Sequence, residues 1–251
     1  MEKLRFRALA FASLFGAIFF ASPASADDYL DEEAFFEEEV ASEDSVNDPL
    51  EKINRFIFEF NDFLFLKVVR PMANVYRDVT PDPIEEGTSN FFENLRYPVR
   101  LAGNVLQGKL EEAGVETGRF VVNSTVGLAG VLRPADEMEF LQPVPKEDIG
   151  QVLAVWGVPE GPYVVLPLFG PHTLRGVLGL VGNLAADPIA EPWSWIDDWD
   201  WEWQTAMSVG DFFSSRSATI DQYIRMKKGA IDHYTAIRGA YLGYRLAQVA
   251  E

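Results

Sequence analysis

The stretch from Gln151 to Thr173, QVLAVWGVPEGPYVVLPLFGPHT, restricts the possible folds more than any other part of the chain. It is apolar and rich in Pro and Gly, and from Val152 to Leu168 its only charge is Glu160. Pro162 and Pro167 rule out an uninterrupted helix or a central strand. Tyr163 to Leu166 favours an extended conformation, and Pro159-Glu160-Gly161-Pro162 has the composition of a tight turn. Such a segment cannot satisfy its own backbone, so it must be buried or lie against something apolar. The rest of the chain has to supply that cover.

The cover is expected to be helical. Asp48-Pro49-Leu50-Glu51 has the pattern of a capped helix start, with Asp48 as cap, Pro49 at the first turn and Glu51 closing a capping box. From there to Val69, Ile53, Phe56, Ile57, Phe60 and Leu64 share one face at helical spacing. Phe58 and Phe65 lie off that face, so apolar surface wraps most of the helix, which must be deeply buried or bathed in lipid. Asn61-Asp62 is expected to interrupt it, and Arg70-Pro71 to end it. Further helices are read up to Thr80, from Ile84 to Pro98, from Val99 to Gln107 and from Leu110 to Asn123, the last two split at Gly108. Gly114 and Gly118 suggest the close approach of another helix. Helices also follow over Glu147 to Trp156 and Leu174 to Ala186, the latter with Gly176, Gly179 and Gly182 on successive turns, where something must pack tightly. The final segment, Asp211 to Val249, is long and amphipathic, with Ile220, Tyr223, Ile224, Ile231, Tyr234 and Tyr241 as its expected buried residues.

The apolar fraction, 48%, is ample for a core in one large domain or two small ones, and no internal repeat is present. Absence of cysteine excludes disulfides, thiolate-held iron–sulfur clusters and thiol catalysis. Lys3, Arg5 and Arg7, an apolar run over residues 8–21 and Ala24-Ser25-Ala26 have the layout of a cleaved secretory leader spanning residues 1–26. Residues 27–48 then carry 11 Asp and Glu with no Lys or Arg, the composition of a solvated tether. The chain bears 21 basic against 39 acidic residues, a formal −18, and no polybasic face is evident, so nucleic acid and electrostatic docking to anionic lipid are both disfavoured.

Catalytic signatures are weak. Gly103 to Gly108-Lys109 imitates a phosphate-binding loop, but Leu110 stands where Ser or Thr would hold magnesium, and no strand precedes it. His172 and His233 are the only histidines, without metal-site spacing; His172, between Pro171 and Thr173, reads as a turn residue. No G-x-S-x-G elbow is present. No enzyme, metal or cofactor is expected. Membrane contact has more support: five of six tryptophans fall between Trp193 and Trp203, and Trp195, Trp199 and Trp203 share a helix face suited to the lipid interface. With Phe56 and Phe60 on the first helix, they are the candidate membrane-facing residues, and the protein is expected to lie in a leaflet without crossing it.

In order along the chain, Asp48-Pro49-Leu50-Glu51, Asn54-Arg55, Phe60-Asn61, Arg70-Pro71, Asn90-Phe91-Phe92-Glu93-Asn94-Leu95, Arg119-Phe120, Asn123-Ser124-Thr125, Trp156-Gly157-Val158, Gly161 to Pro167, Thr173-Leu174-Arg175, Asp187-Pro188 and Tyr241-Leu242 resemble the MlaA/VacJ family of outer-membrane phospholipid-transport proteins. The resemblance covers roughly Asp48 to Arg245 and implies an all-α, ring-shaped single domain over residues 48–251, with an amphipathic central channel and one Gly/Pro-rich hairpin. It also implies a place in the inner leaflet of the Gram-negative outer membrane, on the periplasmic side. Its expected partners are phospholipids, a trimeric porin and a periplasmic lipid-binding carrier. Mislocalised phospholipid would pass down through the ring, and lipid asymmetry would be maintained. Within this frame Gly157, Pro159, Gly161 and Pro162 are the candidate gate, and Asn61 a second turn on which the channel depends. Two departures stand out. Most members carry an anchor cysteine after the leader, whereas here membrane residence is expected from the helices. The family loop often has glycine where Pro159 stands, which stiffens the expected hinge. A soluble periplasmic lipid carrier and a structural adaptor for porins are the alternative readings.

Overall fold

The computed structural model describes residues 48–190 and 201–250. The leader, the acidic segment, Trp195 and Trp199 lie outside them. The elements run α1 (Glu51–Leu64), a π-helical turn (Phe65–Val69), α2 (Arg70–Val79), α3 (Asp82–Leu95), α4 (Tyr97–Gln107), α5 (Leu110–Thr125), two 3-10 turns (Pro134–Glu137 and Glu139–Leu141), α6 (Ile149–Val155), β1 (Tyr163–Leu166), β2 (Gly170–Thr173), α7 (Leu174–Ala186), α8 (Trp201–Gly229) and α9 (His233–Ala250). The protein is mostly helical, as its periodicity predicts. No described helix is long and apolar enough to cross a membrane.

The first helix departs from expectation. It runs through Asn61 and Asp62 without a break and does not stop at Pro71, which falls in the first turn of α2. The irregularity is the π turn, where the Arg70 N–H reaches back to the Phe65 carbonyl. A π turn inserts one residue and loosens the turn before Pro71, where an α-helix would clash with the proline ring. The surplus residue also corrects the phase. Ile53, Phe56, Phe60 and Phe63, then Val68, Met72, Val75 and Val79, are all between 40% and 73% exposed. Each residue of an α-helix turns the face by about 100°. The five-residue step from Phe63 to Val68 would therefore rotate the second half away, unless the π turn absorbed one residue. One apolar stripe consequently runs the length of α1 and α2.

Asp48 does not cap α1. Leu50 occupies the cap position with no side-chain bond to the helix. The Asp48 carboxylate instead accepts from Asn54 (2.8 Å), Arg238 (3.0 Å) and the Tyr234 hydroxyl, so it ties the start of the domain to α9. The cause is tertiary: the buried Arg238 guanidinium needs a carboxylate, and Asp48 is the one it meets.

Among the described residues two apolar cores form. One joins Val69 and Ala73 to Phe212, Phe213 and Ile220 of α8. The other gathers Tyr163, Val165 and Tyr234, with Ile57, Phe58, Tyr241 and Leu242 against them. The long C-terminal segment breaks at residues 230–232, and Ile231, expected to be buried, is fully exposed there. A residue in an interhelical bend has no helix face to bury. Gly108 caps α4 in the left-handed conformation, φ +80°, as its position predicts. The phosphate-loop look-alike is thus a helix end, and Lys109 pairs with buried Glu147.

Of the predicted close glycine contacts, those on α7 hold. A Cβ at Gly179 would meet the Gly150 Cα of α6 at 2.5 Å, and one at Gly182 would meet Ile149. The Ile149 N–H also donates to Asn183 (2.9 Å). On α5, however, Gly114 faces open space, and Gly118 meets the Leu141 side chain of a 3-10 turn, not a helix.

Candidate functional site

The apolar stretch forms a two-stranded antiparallel hairpin, with Tyr163 opposite Thr173, Val164 opposite His172, Val165 opposite Pro171 and Leu166 opposite Gly170. Its turn is Pro167 to Phe169, where Leu168 takes φ +71°. Pro159 to Pro162, expected as a tight turn, is instead an irregular connector between α6 and β1. Its carbonyls serve the start of α7: Leu174 N–H donates to Pro162 (3.1 Å), Arg175 N–H to Glu160 (3.1 Å), and the Arg175 guanidinium to Val158 (3.2 Å). These helix-terminal N–H groups need acceptors, and that need draws the connector straight past the turn its composition suggests. Gly161 is required there, with φ +74° and the Leu174 Cβ 2.9 Å from where its own Cβ would be. Gly157, φ +83°, closes α6 with open space around it.

Two asparagines hold the hairpin. Asn54 donates to the Tyr163 carbonyl (3.1 Å) and accepts from Val165 N–H (2.9 Å). Two turns along α1, Asn61 donates to the Leu166 carbonyl (2.8 Å) and accepts from Leu168 N–H (2.8 Å). Each carboxamide offers one donor and one acceptor, the pair that a neighbouring strand would present. The open edge of β1 is therefore sealed by a helix. Because Tyr163 and Val165 turn their polar groups toward α1, Pro171 faces Val165 where the ladder needs no N–H, which lets a proline sit in β2. Asn61 was singled out from the sequence as a break, and it is a clamp. Asn54 is not among the expected site residues; its signals are its place in the Asn54-Arg55 pair of the resemblance and its position seven residues before Asn61 on a greasy helix.

Between the two cores lies an open hollow of about 210 Å³. Phe58, Asn61, Leu64, Phe65 and Val69 wall it on one side, Val165 and Leu168 to Pro171 of the hairpin on another, and Phe212, Tyr223, Met226, Ile237, Ala240 and Tyr241 on the far side. Its lining is apolar save for the Asn61 amide and two tyrosines. Tyr223 donates to Asp62 (2.7 Å), which also pairs with Lys227. Burial, aided by Asp62, raises the Tyr223 hydroxyl above its ordinary range, so it stays a neutral donor. Helix α1 thus has one face on the hollow and the apolar stripe on the other. Phe56 and Phe60 belong to that stripe, and Trp203 on α8 is exposed as well.

His172 is not a turn residue. It sits in β2, 3% exposed, with Nδ1 3.3 Å from the Gly170 carbonyl and its ring beside Tyr241. Burial pushes its imidazole down to about 4; Arg245 acts in the same sense, against Gly170 and Asp148. The folded state therefore binds fewer protons than the unfolded chain. Stability is full above the ordinary value near 6.5 and is lost as pH falls from there toward 4, by up to ~3 kcal/mol. His172→Phe is expected to flatten the melting temperature over that window, as read by circular dichroism. An equally steep profile in the variant would assign the loss to other groups.

Fold and hollow define a class: a mostly helical protein whose walling helix is apolar on both its inner and outer faces. The chain belongs to the MlaA lipoprotein family, whose model matches residues 46–248. It is 33% identical over 201 residues to the intermembrane phospholipid transport system lipoprotein MlaA of Shigella flexneri, covering 78% of this chain and 75% of that one. The protein of that name in Escherichia coli K12 gives the same identity and coverage. An uncharacterized Rickettsia felis protein is 29% identical, over 81% of this chain and 78% of its own length. A solved structure described as "Structural basis for maintenance of bacterial outer membrane lipid asymmetry" superposes with a TM-score of 0.66 at 28% identity, covering 80% of this chain and 98% of that one.

Proposed function

We propose that this protein is an intermembrane phospholipid conduit of the outer membrane, removing misplaced phospholipid and so maintaining lipid asymmetry. The observation that carries the reading is the apolar hollow behind α1, whose opposite face is an unbroken apolar stripe. Acyl chains can be solvated on both sides of such a wall, while Asn61, Tyr223, Asp62 and Lys227 offer polar partners for a headgroup near the hollow. The relatives named for intermembrane phospholipid transport support it, as does the structure concerned with outer-membrane lipid asymmetry.

In this reading the domain begins after a cleaved leader and the acidic segment, and lies on the periplasmic side of the outer membrane. Phe56 and Phe60, with Trp195, Trp199 and Trp203, meet the lipid interface. The hairpin is the movable wall of a ring-shaped channel; Gly157, Pro159, Gly161 and Pro162 form its hinge, and Asn61 its latch. A trimeric porin beside the ring and a periplasmic lipid-binding carrier below it complete the route.

Met226 lines the hollow from α8, and Met226→Trp is expected to narrow it. Fluorescent phospholipid transfer from vesicles by the purified protein should fall about tenfold, while the melting temperature moves by no more than ~3 °C, the effect of about 1 kcal/mol. Transfer at the wild-type rate with the hollow narrowed would remove the conduit. Fractionation addresses the rival reading of a soluble carrier: the conduit stays with outer membranes through a high-salt wash, because apolar burial is not screened by salt. Release into the soluble fraction would favour the carrier.

A further inference from the structure

The chain's formal charge is −18, yet four cations converge on one pocket that shares no lining residue with the apolar hollow. Arg100 of α4, Arg119 of α5, Arg133 after the α5 loop and Lys146 before α6 line it, with Glu93 and Glu116 as its carboxylates. Lys146 and Arg133 reach Glu93 at 2.6 and 3.1 Å, Arg100 reaches Glu116 at 2.9 Å, and Arg119 and Arg133 share Asp136. Among the described residues, these pairs set four cations against three carboxylates. Burial raises the Glu93 carboxyl, but Lys146, Arg133 and Arg100 overcome it and hold it at about 2, which marks the local potential as positive. Each guanidinium carries more N–H donors than these contacts use.

The setting distinguishes this pocket from a solvated ion-pair network. The loop that leads into Arg133 exposes Val126, Leu128, Val131 and Leu132. It is tied to the pocket by Asn94 and Asn90, whose amides lie 3.5 Å from the Ala129 carbonyl and 3.4 Å from the Val131 carbonyl. An apolar lip beside a cationic recess matches the order of a lipid surface, with hydrocarbon next to phosphate. Guanidinium and ammonium groups are the side chains suited to phosphate. We propose that this pocket binds a phosphate-type anion, the phosphate of a glycerophospholipid headgroup presented at the membrane surface. Lys146 and Arg133, on the open side, turn from Glu93 to the ligand, and buried Arg119, fixed by Asp136 and the Leu141 carbonyl, adds its charge behind them. The lipid source of the phosphate rests on the membrane reading above; the anion site does not.

The test is protection of Lys146 from acetylation in the purified protein, read by mass spectrometry with exposed Lys228 as internal reference. The probes are dihexanoyl-phosphatidylglycerol below its micelle concentration, dihexanoylglycerol without phosphate, and inorganic phosphate. Phosphatidylglycerol is expected to slow modification of Lys146 about tenfold and leave Lys228 unchanged, with dihexanoylglycerol inert; Arg133→Gln should abolish the protection, the effect of losing one charge-assisted bond. Equal protection by inorganic phosphate keeps the anion site and overturns the lipid as its source. No protection by either phosphate compound, or full protection in a folded Arg133→Gln, overturns the proposal. If that variant does not fold, the wild-type contrast between phosphatidylglycerol and dihexanoylglycerol decides alone. Protection that fails while vesicle transfer persists removes the pocket only; protection that persists while Met226→Trp leaves transfer untouched removes the conduit only.

Discussion

Asn54→Ala is expected to lower the melting temperature by roughly 10 °C. Asn54 is 2% exposed, and its amide satisfies the Val165 N–H and the Tyr163 carbonyl on the sealed edge of β1. Alanine leaves both without a partner, at about 1–3 kcal/mol each. In a domain of this size each kcal/mol moves the midpoint by ~2–4 °C. It also takes one donor from Asp48, the carboxylate that joins the start of the domain to α9. Asn61→Ala makes the instructive comparison, because the Leu166 and Leu168 groups it serves lie nearer the surface, where water can replace the amide. Its melting temperature should drop by only a few degrees, with the larger effect on lipid transfer. Thermal melts of both variants decide the matter: an Asn54→Ala midpoint within 2 °C of wild type would show that the β1 edge finds other partners.

Gly179→Ala should be nearly as damaging, although it adds a single methyl. The new Cβ would stand 2.5 Å from the Gly150 Cα and 2.7 Å from the Gly150 nitrogen. Backbone cannot swing aside as a side chain does, so α6 and α7 must part, and the Ile149–Asn183 bond must stretch with them. Overpacking of this kind costs about 1–3 kcal/mol. Gly150 has no slack on its other side, since the Arg245 guanidinium, paired with Asp148 at 2.7 Å, lies against it. Gly114→Ala is the internal control. Nothing stands within 4 Å of that site, and alanine in an exposed helix should stabilise by about 1 kcal/mol. Urea titration of the pair tests the contrast: if Gly179→Ala is no less stable than wild type, the helices have room that the geometry denies them.

These positions also show how far the sequence could be read. Helix ends at Gly108, Thr80 and Ala186 were legible because Gly, Pro and capping residues act on their immediate neighbours. The three glycines of α7 announced a close contact for the same reason, though not that α6 would make it. Gly114 carried the same signal with no contact behind it, since a small residue says only that an approach is permitted. The candidate site was legible as composition and not as geometry. Asn54 and Asn61 meet backbone groups more than a hundred residues away, and no local pattern encodes such a partner. Asp48 was misread because its local option, capping α1, is a bond that many residues could make. The buried Arg238 and Tyr234 that claim it could be seen only in the fold. The π turn did leave a trace, the irregular interval between Phe63 and Val68.

That interval carries a warning about length. Between Ile53 and Val79 the chain works like a calendar with one leap day: a single surplus residue keeps two seasons of apolar side chains aligned. Conservative exchanges among Phe, Val, Ile and Met should pass there almost unnoticed. Removing any one residue near the π turn would leave the composition greasy and the helix intact, yet aim its two halves at different surroundings. For this segment, counting residues matters more than choosing them.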